Sequence, residues 1–120
     1  LIGSALWGEL RSDGHDVVRL VRRSPGEGDV QWDPAKGVLP QDAIEGADAV
    51  VHLAGAGIAD HRWTPEYKDQ ILDSRVRSTT LIAETIAACT DRPKVLLSGS
   101  AVGVYGDGGE RVFTEAAPPA

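Results

Sequence analysis

The sequence predicts an α/β domain, a parallel sheet with helices on both faces. Short β-branched runs alternate with longer amphipathic segments along the 120 residues, the pattern of strands joined by helical crossovers. The run Ala49-Val50-Val51-His52-Leu53 carries almost no polar alternation, as expected of a central strand covered on both faces. The predicted order is helix, strand, weak strand, strand, helix, strand.

The elements follow in chain order. Leu1 to Leu10 places apolar residues at 1, 2, 5, 6, 7 and 10, a helical stripe packed on one face. Gly14 stands where a helix-ending glycine would. His15 to Val21 reads as a strand, closed by Arg22, Arg23, Ser24, Pro25 and Gly26. A Gly/Asp-rich stretch leads to a weak strand at Val30–Trp32, and Ala43, Ile44 and Ala47 suggest a brief helix ending in the turn Gly46–Asp48. After the central strand and the glycine turn Ala54–Gly57, Thr64-Pro65-Glu66 is a helix start with Thr as N-cap and Pro at the first position. The helix is expected to run to about Ala88 with a break near Asp73–Ser74. Its apolar positions Ile71, Val76, Leu81, Ile82 and Ile86 fall roughly on one side. Pro93 marks its end, and Val95-Leu96-Leu97 is a strand entering Ser98-Gly99-Ser100.

Composition narrows the function. The chain has 42% hydrophobic and 25% charged residues, with 12 basic and 18 acidic side chains and a formal charge of −6. This acidic balance argues against nucleic acid and anionic membranes as partners. Cys89 is the single cysteine, which excludes an intramolecular disulfide and a multi-cysteine zinc site. No apolar run approaches the roughly 18 residues of a membrane span, and the first residues do not read as a signal peptide. The expected location is cytoplasmic. An α/β chain opening on a helix lacks the strand that the helix should follow, so the sequence reads as an internal piece of a longer domain.

Several chemistries are unsupported. Gly99-Ser100-Ala101-Val102-Gly103 does not have the spacing of a hydrolase nucleophile elbow. Neither Lys36 nor Lys94 completes a phosphate-binding P-loop. His15, His52 and His61 are not spaced as metal ligands, and His52 is expected in or beside a buried strand.

Four features point to a dinucleotide, each with a plainer reading beside it. Gly3, early in a helix, sits where the last glycine of a phosphate loop lets helix and strand approach closely, although a glycine near a helix start is also merely permissive. Arg22 and Arg23 end a strand at the place where an acid binds the ribose hydroxyls of NAD and an arginine accommodates the 2′-phosphate of NADP; they also suit a solvated strand end. No Asp or Glu occurs among residues 20–25, which favours NADP over NAD. Leu53, Ala54 and Gly55 after the central strand are small enough for a flat ring to pack on the backbone, or form a plain turn. Ser98 and Ser100 end the next strand, where a hydroxyl can donate to a carbonyl or alkoxide or simply form a turn.

In this order the features resemble the extended short-chain dehydrogenase/reductase superfamily, also called the NAD(P)-dependent epimerase/dehydratase family. The closer resemblance is to its atypical branch labelled "epimerase family protein". It is carried by Ala49–Gly55 (AVVHLAG), Arg62-Trp63-Thr64, Ser74-Arg75, Leu97–Asp107 (LSGSAVGVYGD) and Thr114-Glu115, and covers nearly the whole chain.

The resemblance implies a Rossmann-type, doubly wound parallel sheet, incomplete here in its first strand and substrate region, with residues 1–120 forming part of an NAD(P)-binding domain. It implies that Gly3 is the third loop glycine, that Arg22 and Arg23 meet the 2′-phosphate, and that Leu53 and Ala54 wall the adenosine side. Gln70 and Arg75 would contact the cofactor from the long helix, Arg75 replacing the asparagine of typical members. Ser98 would lie beside the nicotinamide, and Ser100 matches the catalytic serine that orients the substrate oxygen. Ser100 stands five residues before Tyr105 where ordinary epimerases have four, and the other register would place Ala101 there. Tyr105 is not the family's catalytic tyrosine, which belongs to a Tyr-x-x-x-Lys pair on a later helix.

The implied function is NADP-dependent hydride transfer on a hydroxyl- or carbonyl-bearing small molecule such as a sugar nucleotide. The alternative is a non-catalytic NADP-binding regulator, a class that includes the branch members labelled "cell-division inhibitor". A homodimer through the long helix is compatible with its apolar face, which core packing explains equally well. A methyltransferase fits worse, since such enzymes usually place an acid where this chain has arginines. Expressed alone, these residues are expected to fold poorly and bind NADP weakly.

Overall fold

The computed structural model describes residues 1–120, apart from the side chain of Val102. Its elements are helix α1 (Ile2–Ser12), strand β1 (Arg19–Val21), strand β2 (Asp29–Gln31), strand β3 (Ala49–His52), helix α2 (Pro65–Ala88) and strand β4 (Val95–Ser98). Short 3₁₀ turns lie at Pro34–Lys36, Gln41–Ala43 and Val102–Tyr105. Both ladders are parallel: β1 pairs with β2 and β3 with β4, as two separate two-stranded sheets. This is an α/β architecture, as the alternation of segments predicts.

The glycine after α1 ends the helix as expected. Gly14 takes a positive φ of 87°, its N–H bonds Arg11 O, and the His15 N–H reaches back to Leu10 O. Two carbonyls of the last turn are thereby satisfied in a left-handed terminus that glycine adopts without steric penalty. The expected packing of α1 is not observed. It contains no buried residue, and Leu1 and Ile2 are fully or largely exposed. Leu6, Trp7 and Leu10 are half-buried, and the Trp7 ring lies 4.1 Å from the Arg19 guanidinium.

The first strand is shorter than predicted. Its ladder begins at Arg19, opposite Asp29, so residues 15–18 have β-forming character but no partner strand among the described residues. The weak strand falls one residue earlier than expected, at Asp29–Gln31. Trp32 follows it, donating its N–H to Val21 O and burying its ring. In place of the brief helix, a single 3₁₀ turn at Gln41–Ala43 leads into a turn with φ of 76° at Gly46. Gly46 N–H to Asp91 O and Lys94 N–H to Asp48 O tie this segment to the end of α2.

Helix α2 is continuous through all 24 residues. The expected break near Asp73–Ser74 does not occur, because Ser74 Oγ donates to Ile71 O one turn back without opening the ladder. Thr64 caps the helix by accepting from Tyr67 N–H, with Pro65 at the first position. The buried side of α2 is more polar than the apolar periodicity suggested: Tyr67, Ser78, Ile82 and Thr85. Val76, expected on that side, is 54% exposed, as is Leu72 at 64%.

The core gathers Trp32, Ile44, Val50, Ile82 and Cys89, with Leu20, Leu39, Leu81 and Ile86 packed on it. Strand β3 turns Val50 and His52 inward and leaves Ala49 and Val51 exposed. Its second face is thus open among the described residues, contrary to the two covered faces predicted. All four residues of β4 are exposed. No helix among the described residues is long and apolar enough to cross a membrane.

Candidate functional site

In a parallel sheet, ligands sit beyond the carboxyl ends of the strands. Strands β3 and β4 end side by side. His52 is in register with Ser98, and Gly99 donates its N–H to His52 O. A Cβ on Gly99 would meet Leu53 Cδ2 at 3.5 Å. The structure therefore brings Leu53, Ala54 and Gly55 together with Ser98, Gly99 and Ser100. Ser98 and Ser100 are exposed, with side chains available to a ligand.

The loop after β3 is shaped from helix α2. Ala56 donates its N–H to Ser74 Oγ at 3.1 Å, while its carbonyl accepts from Arg75 Nη1 at 3.0 Å. Adjacent side chains of one helix thus grip both polar groups of one peptide residue. Arg75 Nη1 also reaches Ile71 O at 3.2 Å. The guanidinium lies across Gly55: a Cβ there would stand 3.0 Å from Arg75 Cζ and 3.1 Å from Nη1. Glycine is the residue that this approach admits. Further along, the Tyr67 hydroxyl donates to Gly57 O, and Trp63 Nε1 donates to Ile58 O at 2.6 Å.

The structure gives Arg75 a contact that the resemblance did not imply. One guanidinium nitrogen is committed to the loop, and the others remain on an exposed side chain. Gln70 lies one turn before Ser74 and about 140° around the axis from Arg75, exposed on α2.

Below the loop, His52 is buried at 5% exposure, in agreement with the sequence reading. Its Nε2 lies 2.9 Å from Thr79 Oγ1 and 3.3 Å from Ser78 Oγ. Burial lowers its pKa from the ordinary histidine value, so the neutral ring is favoured.

Beyond β1, Arg22 and Arg23 are exposed. Arg23 Nη1 donates to Ser24 O at 3.0 Å, and its Nη2 stands 3.5 Å from Asp29 Oδ2. Asp29 also receives Arg19 in a two-point pair, Nε to Oδ1 at 2.9 Å and Nη2 to Oδ2 at 3.2 Å. The Asp29 side chain is only 3% exposed. Arg19 holds its carboxyl below the usual carboxylate range, with the Gly26 N–H and Arg23 acting in the same direction. Sequence reasoning overlooked Asp29, which lies outside the 20–25 window and joins the arginines only through the register Arg19↔Asp29.

Gly3 stands in the first turn of α1, where an added Cβ would have nothing within 4 Å. The close helix–strand approach expected of it has no counterpart among the described residues. Tyr105 stacks on Phe113 with ring centres 5.5 Å apart. No group of His, Cys, Asp and Glu that could hold a metal occurs among the described residues.

The residues fit a dinucleotide in kind: free guanidinium donors after β1, and small residues beside exposed hydroxyls after β3 and β4. The model of the NAD dependent epimerase/dehydratase family matches residues 1–120. Epimerase family protein ML0860 of Mycobacterium leprae is 38% identical over 116 residues, covering 96% of this chain and 37% of that protein. Epimerase family protein YfhF of Bacillus subtilis is 35% identical over 119 residues, covering 95% and 39%. A crystal structure of human epimerase family protein SDR39U1 (isoform 2) with NADPH superposes with a TM-score of 0.82 at 31% identity, covering 99% of this chain and 39% of that one. The chain therefore spans less than two-fifths of the length of these relatives, and its architecture is Rossmann-type.

Proposed function

The chain belongs to the NAD dependent epimerase/dehydratase family, and from that premise we propose that it contributes the cofactor-binding part of an NADP-dependent epimerase or oxidoreductase. The observation that carries this reading is the end of β1. Arg22 and Arg23 are exposed there, and the nearby carboxylate of Asp29 is engaged by Arg19. A ribose bearing a 2′-phosphate meets permanent cations suited to a phosphomonoester. A ribose with free hydroxyls finds the Asp29 carboxylate already paired. The related human structure, which its description places with NADPH, supports the same choice.

The nicotinamide, when bound, would supply reversible hydride exchange with a hydroxyl-bearing carbon of a small-molecule substrate. The chain's own residues then have distinct tasks. Leu53, Ala54 and Gly55 offer a flat surface for a ring. The unused donors of Arg75 and the exposed amide of Gln70 would be offered to the cofactor from two different sides of α2. Ser98 and Ser100 present hydroxyls beside that surface, Ser100 to hold the substrate oxygen.

Titration of the protein as its gene encodes it with NADP and with NAD tests the reading. NADP is expected to bind more tightly, with the preference falling on Arg22→Ala and Arg23→Ala. Tighter binding of NAD by the unsubstituted protein overturns it.

A further inference from the structure

The two arginines proposed to read the 2′-phosphate do not stand alone. Behind them lies a chain of contacts that begins on α1. The Trp7 ring has Arg11 at 4.7 Å and Arg19 at 4.1 Å, within the range of cation–π attraction. Arg19 turns its fork onto Asp29 through two hydrogen bonds. Asp29 Oδ2 also accepts the Gly26 N–H at 3.2 Å and faces Arg23 Nη2 at 3.5 Å. The Asp29 N–H in turn bonds Gly26 O, so one residue closes the loop that carries Arg22 and Arg23.

We infer that the Arg19–Asp29 pair is a specificity-determining positioning device for the 2′-phosphate, acting through Arg23. The inference rests on the reading that Arg22 and Arg23 meet that phosphate. The division of contacts explains how a buried carboxylate can serve an anion site. Arg19 takes the short, two-point geometry and neutralises Asp29. Arg23 is left with one long contact to Asp29 and the bond from Nη1 to Ser24 O, which together orient its exposed guanidinium and leave donors for an anion. A fork fixed in direction loses less freedom when a phosphate arrives. Without Asp29, Arg23 and the loop at Gly26 lose their common anchor. Without Arg19, the Asp29 charge falls on Arg23 and competes with the incoming phosphate. Both changes act on the phosphate and leave the remainder of the dinucleotide untouched.

The test is NADP and NAD affinity, measured on the protein as its gene encodes it, for the unsubstituted form and for Asp29→Asn, Arg19→Gln and Arg23→Ala. Circular dichroism serves as the folding control. Asp29→Asn is expected to weaken NADP by about tenfold, the worth of a charge-assisted contact, and to leave NAD within about twofold. Equal weakening of both cofactors assigns Asp29 a merely structural role and overturns the inference. So does an unchanged affinity for both, or a gain for NADP, which would mean that its charge only repels. Should Asp29→Asn fail to fold, Arg19→Gln decides by the same selective loss or its absence. No preference for NADP in the unsubstituted protein removes the underlying reading. A preference lost in Arg23→Ala and kept in both other variants removes this inference alone.

Discussion

The clamp on Ala56 makes a quantitative prediction. Ser74→Ala removes the acceptor of one partly buried N–H at 3.1 Å, a loss of about 0.5–1.5 kcal/mol. Arg75→Met removes a charged donor from the Ala56 carbonyl. In a buried setting that contact would be worth about 1.5–3 kcal/mol, but Arg75 is exposed and water can replace it, so about 1 kcal/mol is appropriate. If loop 54–57 binds cofactor in the clamped shape, each loss appears as weaker binding, about fivefold per substitution. The two grips hold the same residue, so releasing one removes much of the value of the other. The double variant is therefore expected near tenfold, well short of the roughly 25-fold that independent effects would give. Isothermal titration of NADP into the four forms measures the cycle. Ser74→Thr, which retains the hydroxyl, should restore most of the affinity. Additive losses, or a Ser74→Ala variant that binds as tightly as the parent, would refute the clamp.

Three other predictions address the same framework. Gly55→Ala should weaken NADP binding on two counts, because its φ of 158° disfavours a side chain and the added Cβ lands 3.0 Å from Arg75 Cζ; the share lost through the clamp should disappear in combination with Arg75→Met, as read by the same titration. Ile82→Ala, at a side chain 2% exposed in the core cluster, should cost about 2–5 kcal/mol, whereas Leu72→Ala, 64% exposed, should cost about 0.5 kcal/mol or less, both read from urea midpoints. His52 has its folded pKa lowered by burial, so between that value and the unfolded value of about 6.5 the unfolded chain binds more protons. Stability should accordingly be full above that pH and decline below it, and His52→Gln should flatten the pH dependence of the urea midpoint across this window.

The legible parts of the fold are those that local chemistry decides. Thr64-Pro65 starts α2 because a hydroxyl acceptor and a pre-set φ act within one turn, and Gly14 ends α1 because only a left-handed residue closes that terminus. What local chemistry does not decide was read less well. The run Ala49–Leu53 shows that both faces of β3 are apolar, but not which of them finds a partner within these residues. Val76 and Ser78 exchange the places that hydropathy assigns them, because the buried side of α2 carries the hydroxyls that His52 requires. At the site, Arg22, Arg23, Ser98 and Ser100 were visible as residue types at strand ends. Asp29 was not, since a parallel register joins it to Arg19 across ten positions and nothing in the sequence signals that register.

Ser74 and Arg75 show the same limit and its resolution. On a helix, neighbouring side chains diverge by about 100°, so a dipeptide is an unpromising unit when each residue is assigned a separate ligand contact. The N–H and C=O of one residue in an open loop also diverge, and Ala56 offers both to the helix. A Ser-Arg dipeptide then matches a single peptide residue, the hydroxyl accepting on one side and the guanidinium donating on the other. Gly55 completes the arrangement by leaving room for the guanidinium to cross the backbone. The pairing of Leu-Ala-Gly after a strand with Ser-Arg on the following helix is thus one structural device split between two places in the sequence. Its purpose is conformational: it holds the loop at the mouth of the sheet in one shape before any ligand arrives, which lowers the ordering cost of binding. One nitrogen of Arg75 shapes the loop, and on the function proposed above the others serve the ligand, which gives the side chain two tasks. Replacing it with lysine, which has one nitrogen on a flexible stem, should therefore preserve at most one of them.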